Sequence, residues 1–178
     1  MIVALAGRRI DAIDAKQRRF PLENVDLVSE RVREMLRTEE AIGVVCSAAC
    51  GADLIALSAA ISLGLRRRVV LPFERERFRE TSVVDRPGDW GPVYDRVLND
   101  AEASGNLVVI AKTSDDQAYS AVNRAILDEA ILMAAQLKQP VAACIVWDGA
   151  SRGAHDLTEE FGVEARKRGL AVVERMTI

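Results

Sequence analysis

A run of small residues between an apolar strand and a helix is the part of this chain best suited to hold a ligand. Residues 47–53 have the sequence SAACGAD and follow the apolar run at 43–46. Small residues allow close backbone approach, and the free N–H groups at a helix start attract an anion such as phosphate. Ser47 and Gly51 are therefore candidate phosphate contacts, and Asp53 is a candidate contact to ribose hydroxyls. The alternative is a turn whose small residues serve packing, with Asp53 stabilising the helix dipole.

Two common nucleotide motifs are absent from this segment. It contains neither G-x-G-x-x-G nor G-x-x-x-x-G-K-[ST], so it fits neither the dinucleotide fingerprint nor the P-loop. Any phosphate site here would use a different arrangement of backbone and side-chain donors.

The first apolar run spans residues 2–6. Gly7 and then two arginines follow it directly. A guanidinium group can bind a phosphate through two parallel hydrogen bonds, so Arg8 and Arg9 are candidate phosphate contacts. The alternative is a solvated surface arginine, and we expect at least one of the two to be that.

Aromatic and amide side chains provide candidate contacts to a base or a ribose. Tyr119 and Asn123 are four residues apart and therefore share one face of a predicted helix. Phe73, Phe78 and Trp90 surround one irregular segment in a chain with 4% aromatic residues, and together they could form a wall against a base. The alternatives are local packing for the aromatic residues and an internal hydrogen bond for Asn123.

Six apolar runs predict the strands that must position these side chains. They span residues 2–6, 43–46, 68–71, 107–111, 141–147 and 170–173. Several are continuous and rich in β-branched residues, as is typical of strands covered on both faces. Helical patterns lie between them, and the last begins at Asp156. This alternation predicts an α/β fold with a doubly wound, mostly parallel sheet and helices on both faces, in one domain spanning residues 1–178.

Polar and small residues follow the predicted strands, whereas the strands themselves are almost wholly apolar. Ligands of open α/β sheets bind outside the carboxyl ends of the strands, so the candidates belong to one edge. Lys112, Thr113 and Ser114 follow the fourth strand, and Asp148, Gly149 and Gly153 follow the fifth. Residues 73–92 follow the third strand and show no clear period, so we expect an irregular, functional segment over this edge.

Composition limits the class of protein. The 178 residues are 49% hydrophobic and 29% charged with a net charge of −3, which is typical of a soluble globular protein and disfavours nucleic-acid and membrane surfaces. No apolar run approaches the roughly 20 residues that span a bilayer, and the start lacks the basic flank of a signal peptide, so we expect a cytoplasmic protein. Three cysteines and one histidine predict neither a disulfide framework nor a zinc site. We expect reduced, buried cysteines, no metal and no cofactor.

Several segments resemble one known superfamily. LAGRRID from Leu5, SAACGADL from Ser47 and VLPF from Val70 resemble the Rossmann-like superfamily of DNA-processing protein A and the Lonely Guy (lysine-decarboxylase-like) enzymes, whose nucleotide-sensing members are called SLOG domains. FRETSV from Phe78 and VWDG from Val146 resemble its sensor-type branch. The resemblance covers nearly the whole chain and implies a Rossmann-like sheet whose glycine-containing loops hold a nucleotide or nucleotide derivative. It is compatible with a homodimer, and it implies these ligand-site residues: Gly7, Arg8, Ser47, Gly51, Asp53, Gly149 and Gly153.

One departure from the superfamily concerns catalysis. The Lonely Guy hydrolases carry P-G-G-x-G-T-x-x-E, whose glutamate acts together with a nearby arginine. Residues 148–160 here are DGASRGAHDLTEE, without paired glycines and with Thr158 and Glu159 adjacent. This departure disfavours phosphoribohydrolase activity. The acidic net charge likewise disfavours binding of single-stranded DNA, which needs a basic groove.

Two functions remain as hypotheses, and the sequence leaves open whether the ligand is only bound or also cleaved. The first is a module that binds or senses a nucleotide-type small molecule. The alternative is a hydrolase or transferase acting on the N-glycosidic bond of a nucleotide, in which Glu159, Glu160, Asp148 or Asp53 stabilises an oxocarbenium-like transition state. A purely structural domain would not need the polar residues that follow the strands.

Overall fold

A computed structural model of the protein describes residues 1–110 and 116–178. The predicted strand-end residues Lys112, Thr113 and Ser114 lie outside the described residues, as does Ala111 at the end of the predicted fourth strand.

A parallel sheet of six strands forms the centre of the described structure. The strands are β1 (Ile2–Gly7), β2 (Gly43–Cys46), β3 (Arg66–Leu71), β4 (Leu107–Val109), β5 (Val141–Trp147) and β6 (Ala171–Met176). Their order is β4-β3-β2-β1-β5-β6, and every neighbouring pair is parallel. The α/β, doubly wound fold with a parallel sheet is therefore confirmed, and the change of winding direction lies between β1 and β5.

Within residues 1–110 and 116–178, six α-helices connect the strands. They are α1 (Val25–Thr38), α2 (Ala52–Ser62), α3 (Arg75–Ser82), α4 (Trp90–Ala103), α5 (Asp116–Leu137) and α6 (Leu157–Lys167), and a 3₁₀ turn at Leu22–Asn24 precedes α1. The predicted start of α6 is confirmed, because the Asp156 carboxylate caps the helix by accepting hydrogen bonds from the N–H groups of Thr158 and Glu159. Within the described ranges, no helix is both long and apolar enough to cross a membrane.

The two faces of the sheet bury separate apolar clusters. Val3 and Leu5 of β1 pack on the side of α1, α2 and α4, whereas Ile2 and Ala4 pack on the side of α5 and α6. Successive residues of a strand point to opposite faces, so a strand buried on both sides needs a continuous apolar run. Helix α2 is buried along most of its length, which explains why its sequence is apolar nearly all round.

The segment 73–92 is more regular than its sequence indicates. We expected it to lack regular structure, but it contains the whole of α3 and the first residues of α4. Helix α3 has the sequence RERFRETS and buries only Phe78 and Ser82. A helix with so few apolar side chains has no stripe from which to be recognised.

Candidate functional site

A cavity of about 540 Å³ lies at the carboxyl ends of β1 and β2, beside the point where the winding direction of the sheet changes. Its volume is within the range of about 300–1,000 Å³ that is usual for small-molecule sites. Loops after several strands contribute to its walls, and α3 and α5 close it from the sides.

Seven of the predicted ligand residues line this cavity, namely Gly7, Arg8, Arg9, Ser47, Asp53, Tyr119 and Asn123. The other five, which do not line it, are Gly51, Phe73, Asp148, Gly149 and Gly153. The expectation that ligand residues follow the carboxyl ends of the strands therefore brings most, but not all, of the candidates together in one cavity.

Arg8 is held entirely by groups of the protein itself. Its side chain is 1% exposed, and its Nε donates to Asp148 at 2.9 Å, its Nη1 to Asp156 at 2.6 Å and its Nη2 to the carbonyl oxygen of Ala150 at 2.6 Å. The guanidinium group also lies over the Trp147 ring, 5.7 Å from its centroid. Arg8 thus joins the end of β1 to the loop that follows β5, and it shapes the cavity wall.

Arg19 completes this ion cluster. Its Nη1 donates to the second carboxylate oxygen of Asp148 at 2.6 Å and to the carbonyl oxygen of Ala150 at 2.9 Å. Asp148 is therefore enclosed between two guanidinium groups. For Asp156, burial raises the pKa, but hydrogen bonds from Arg8 and from the N–H of Arg152 outweigh burial and hold the pKa at about 2. The Asp156 carboxylate is therefore ionised at neutral pH, and the ion pairs with Asp148 and Asp156 hold Arg8 and Arg19 in place.

Arg152 differs from these arginines because it is exposed and its side chain forms no ion pair among the described residues. Among the described residues, its guanidinium group makes neither an ion pair nor a hydrogen bond, although it lines the cavity. Burial lowers the pKa of Arg152 and the positive charges of Arg8 and Arg19 lower it further, whereas the carboxylates of Asp156 and Asp148 only partly oppose this change. A cation repelled by its neighbours is stabilised by an incoming anion.

Arg9 and Arg86 share one carboxylate on the opposite wall. Arg9 forms an ion pair with Asp85, and the Nε of Arg86 lies 3.4 Å from the other oxygen of the same carboxylate. One aspartate thus faces two guanidinium groups, both of which line the cavity. The wall keeps an excess of positive charge that an anionic ligand would neutralise.

Gly51 and Gly7 serve close packing of the backbone. Gly51 has φ +103° and forms an isolated bridge with Arg9, and a Cβ atom there would lie 2.7 Å from the carbonyl oxygen of Arg8. A Cβ atom on Gly7 would lie 2.4 Å from the Cβ of Ala52. Small residues at both places bring the loops after β1 and β2 into contact, and so build one wall of the cavity.

Asp53 is a buried acid on the cavity wall. Its residue is 7% exposed, and its Oδ2 accepts a hydrogen bond of 3.2 Å from the N–H of Ala49. Burial raises the pKa of Asp53 to about 7, and the bond from Ala49 and the charge of Arg9 only partly oppose this rise. Groups in clefts whose pKa is strongly displaced by burial are candidates for functional sites.

The aromatic residues form a packed cluster, of which two members reach the cavity. Phe73 packs against the two members that reach it, with its ring centroid 6.0 Å from that of Phe78 and 6.1 Å from that of Tyr119. Phe78 and Tyr119 line the cavity, whereas Phe73 and Trp90 do not. Asn123 also lines the cavity, and its Nδ2 donates to the carbonyl oxygen of Leu157 at 2.8 Å, so its amide group already has a partner within the protein.

The candidate catalytic glutamates lie in a different place. Glu159 and Glu160 line a second cleft, of about 310 Å³, between α5 and α6. Glu160 accepts a hydrogen bond of 3.1 Å from Ser120, and Glu159 accepts one from Ser151. The described residues contain no group of three or more His, Cys, Asp or Glu side chains that could hold a metal ion.

Residues of the cavity wall that were not predicted come from the far parts of loops or, for Thr158, from the first turn of α6. They include Gln17, Arg19, Arg86, Arg152 and Thr158. All of them lie in segments that follow a strand, but several residues beyond its end. The adjacent arginines Arg18 and Arg19 were a usable signal, whereas no pattern separates Arg86 or Arg152 from surface arginines.

Comparison with known proteins gives little guidance. No protein-family model matches the chain, and no curated protein matches it. Among solved structures, DNA processing protein A (DprA) from Streptococcus pneumoniae is similar over 98% of this chain and 58% of that chain, with 13% sequence identity and a TM-score of 0.44. The chain thus spans somewhat more than half the length of that structure. A likeness at this level assigns neither a family nor a function.

Proposed function

We propose that the protein binds a nucleotide or nucleotide-derived ligand in the 540 Å³ cavity, as a binding or sensing module. The observation that carries this proposal is the convergence of arginines from separate loops on one cavity. Arg9 follows β1, Arg86 follows α3 and Arg152 follows β5. Because the whole chain has a net charge of −3, this local collection of cations is not a general property of its surface.

The two kinds of wall match the two ends of a nucleotide. Guanidinium groups bind phosphate oxygens through charge-assisted hydrogen bonds, and the guanidinium group of Arg152 lines the cavity without an ion pair among the described residues. Phe78, Tyr119 and the apolar side chains of Val122 and Ile126 form another part of the wall. Flat apolar surface of this kind suits a base.

The sequence motifs support the same proposal. Their resemblance to the SLOG superfamily implies a nucleotide site at this edge of the sheet, and its sensor-type branch is the finer assignment that we propose. The degraded catalytic motif at residues 148–160 favours binding without cleavage.

Two measurements test the binding function. Small molecules released from the purified protein would be identified by mass spectrometry, and thermal shifts would be recorded with ADP-ribose, cyclic nucleotides, NAD and the nucleoside mono- and diphosphates. A ligand at a hundred times its Kd stabilises the fold by about 2.7 kcal/mol. If no member of this panel shifts the melting temperature and no nucleotide is released, the proposal is wrong.

A matched pair of variants tests where the ligand binds. Arg152→Ala removes a cavity cation and should weaken binding about tenfold or more, because hydrogen bonds to charged groups are worth about 1.5–3 kcal/mol. Arg96→Ala is the control, since Arg96 is exposed on α4 and does not line the cavity. Equal affinities of the two variants would place the ligand elsewhere.

A second candidate function is cleavage of the N-glycosidic bond of a bound nucleotide. Asp53 favours it, because its raised pKa of about 7 allows a carboxyl group in the cavity to exchange protons near neutral pH. Asp148 is enclosed by arginines, and Glu159 and Glu160 face the other cleft. Chromatography of nucleoside monophosphates would detect the released base. Asp53→Asn should abolish such release, whereas Glu159→Gln and Glu160→Gln should leave it unchanged.

A further inference from the structure

Asp53 is exceptional among the acids at the cavity because it is buried without an ion pair among the described residues. Asp85 faces Arg9 and Arg86, and Asp148 and Asp156 both pair with Arg8. The carboxyl group of Asp53, in contrast, has one hydrogen bond among the described residues, from the N–H of Ala49 to its Oδ2.

Asp11 offers an instructive comparison on the same wall. Its Oδ2 also accepts a single backbone hydrogen bond, of 2.9 Å from Arg19. Asp11 is only half-buried, so water can satisfy its remaining oxygen, whereas Asp53 is 7% exposed. The second carboxyl oxygen of Asp53 reaches the cavity, so the donors that satisfy it come from whatever fills the cavity.

The chemistry of a nucleotide restricts which of its groups can supply those donors. Phosphate oxygens are ionised acceptors, and a carboxylate repels them. We therefore expect phosphates to bind the arginines and the flat face of a base to contact Phe78 and Tyr119. The N–H donors of a base lie on its edge, away from the phosphates, so the donors between phosphate and base are the two vicinal hydroxyls of the ribose in a ribonucleoside 5′-phosphate.

The surroundings of Asp53 match this intermediate position. On one side the charge of Arg9 acts on the Asp53 carboxyl. On the other side, the loop before α2 is tied to α3 by a hydrogen bond of 3.0 Å from the N–H of Cys50 to the carbonyl oxygen of Ser82. The Ser82 hydroxyl in turn lies 3.4 Å from the hydroxyl of Tyr119. Asp53 thus belongs to the stretch of wall that joins the arginines to the aromatic side.

We propose that Asp53 makes the cavity selective for ribonucleotides over 2′-deoxyribonucleotides by accepting hydrogen bonds from the ribose hydroxyls. This inference rests on the proposed nucleotide-binding function and assigns one specificity-determining residue to it. Hydrogen bonds from the ribose hydroxyls would satisfy the Asp53 carboxyl group, which the fold buries without an ion pair.

Calorimetric titration with matched ligands tests the inference. The probes are the four ribonucleoside 5′-diphosphates and their 2′-deoxy counterparts, added to the wild-type protein and to two variants. In the wild type, we expect at least one ribonucleotide to bind about tenfold more tightly than its deoxy form, as the loss of a hydrogen bond to a carboxylate implies. In Asp53→Asn and Asp53→Ser, this ratio should fall toward one.

Asp11→Asn is the matched control, because it removes another acid from the same wall and should keep the wild-type ratio. Measurable binding with a wild-type ratio near one would overturn the inference while leaving nucleotide binding intact. A high ratio that persists in both Asp53 variants would overturn the role of Asp53. If none of the eight nucleotides binds, this inference is overturned, whereas the proposed function stands or falls with the wider panel that includes ADP-ribose, cyclic nucleotides and NAD.

Discussion

Arg8 is the bulkiest of the side chains that the fold buries completely. Its guanidinium group faces Asp148 and Asp156, whose side chains are 3% and 1% exposed. Removing one partner from a buried ion cluster leaves an uncompensated charge, which typically destabilises a protein by about 3–5 kcal/mol. We therefore expect Arg8→Met to lower the free energy of unfolding by that amount, as measured by urea denaturation. Arg96→Met is the control, and a difference between the two below about 1 kcal/mol would contradict the structural role of Arg8.

Asp53 predicts a particular dependence of stability on pH. Its pKa in the folded protein is raised by burial from 3.8 to about 7. The contribution of this group to stability is therefore fully present below about pH 4 and is lost as the pH rises to about 7. The cation that faces it is Arg9, and the thiol beside it, of Cys46, titrates well above this range.

The variant Asp53→Asn keeps the shape of the side chain and removes this titration. From pH 5 to pH 8, the stability of the variant relative to the wild type should rise by about 2–3 kcal/mol, at about 1.4 kcal/mol for each pKa unit. Urea denaturation at both pH values measures this difference in the free energy of unfolding, with Asp11→Asn as the control. Parallel pH profiles of the wild type and Asp53→Asn would show that Asp53 titrates normally.

The contact between β1 and α2 determines how closely two strand-end loops approach. A Cβ atom on Gly7 would lie 2.4 Å from the Cβ of Ala52 and 2.6 Å from the carbonyl oxygen of Val146. Both neighbours belong to or adjoin the backbone and cannot rotate away. We expect Gly7→Ala to destabilise the fold by about 3 kcal/mol, since forcing extra atoms into packed structure costs about 1–3 kcal/mol or more.

Gly43→Ala provides the matched control for this prediction. A Cβ atom there would meet the tips of two flexible side chains, Ile2 Cδ1 at 2.9 Å and Met133 Sδ at 3.1 Å. Because these tips can move, the loss in Gly43→Ala should be about 1 kcal/mol or less. Thermal unfolding of both variants measures the difference, and equal losses would contradict a rigid contact at Gly7.

The elements differ in how far the sequence determines them. Strands β2 and β5 have the predicted bounds, because a continuous apolar run between polar residues marks a strand buried on both faces. Helix α3 was missed because its stability comes from Phe78 and Ser82 packing on the rest of the fold, and its own pattern is mostly charged. The sequence could not predict either that Arg152 forms no ion pair among the described residues. That outcome depends on which carboxylates pair with Arg8 and Arg19 in the folded chain.

At the scale of the whole molecule, β1 joins two halves of the sheet, with β4, β3 and β2 on one side of it and β5 and β6 on the other. It pairs with β2 on one side and β5 on the other. The cluster of Arg8, Asp148 and Asp156 links the same halves through side chains, and Asn24 donates its Nδ2 hydrogen to the carbonyl oxygen of Thr177 at 2.9 Å. The cavity lies at this junction, so its geometry depends on both halves remaining together.

The cysteines report whether the halves unfold together. Cys46 in β2 and Cys50 in the following loop belong to one half, and Cys144 in β5 belongs to the other. The structure confirms that all three are free and buried. Burial raises the pKa of each thiol, that of Cys144 to about 12, so neither accessibility nor thiolate character favours reaction in the native state.

We expect the three thiols to react with a disulfide reagent only after global unfolding, in one kinetic phase. Absorbance of the released thiolate gives the number of phases at increasing urea concentrations, and peptide mass spectrometry identifies which cysteine has reacted. A single phase for all three follows if residues 1–178 form one cooperative unit, because the ties across β1 must break before either half opens. Labelling of Cys144 well before Cys46 would show that β5 and β6 open separately. The cavity would then be a junction between two independently stable parts, and ligand binding would be expected to slow the labelling of Cys144 first.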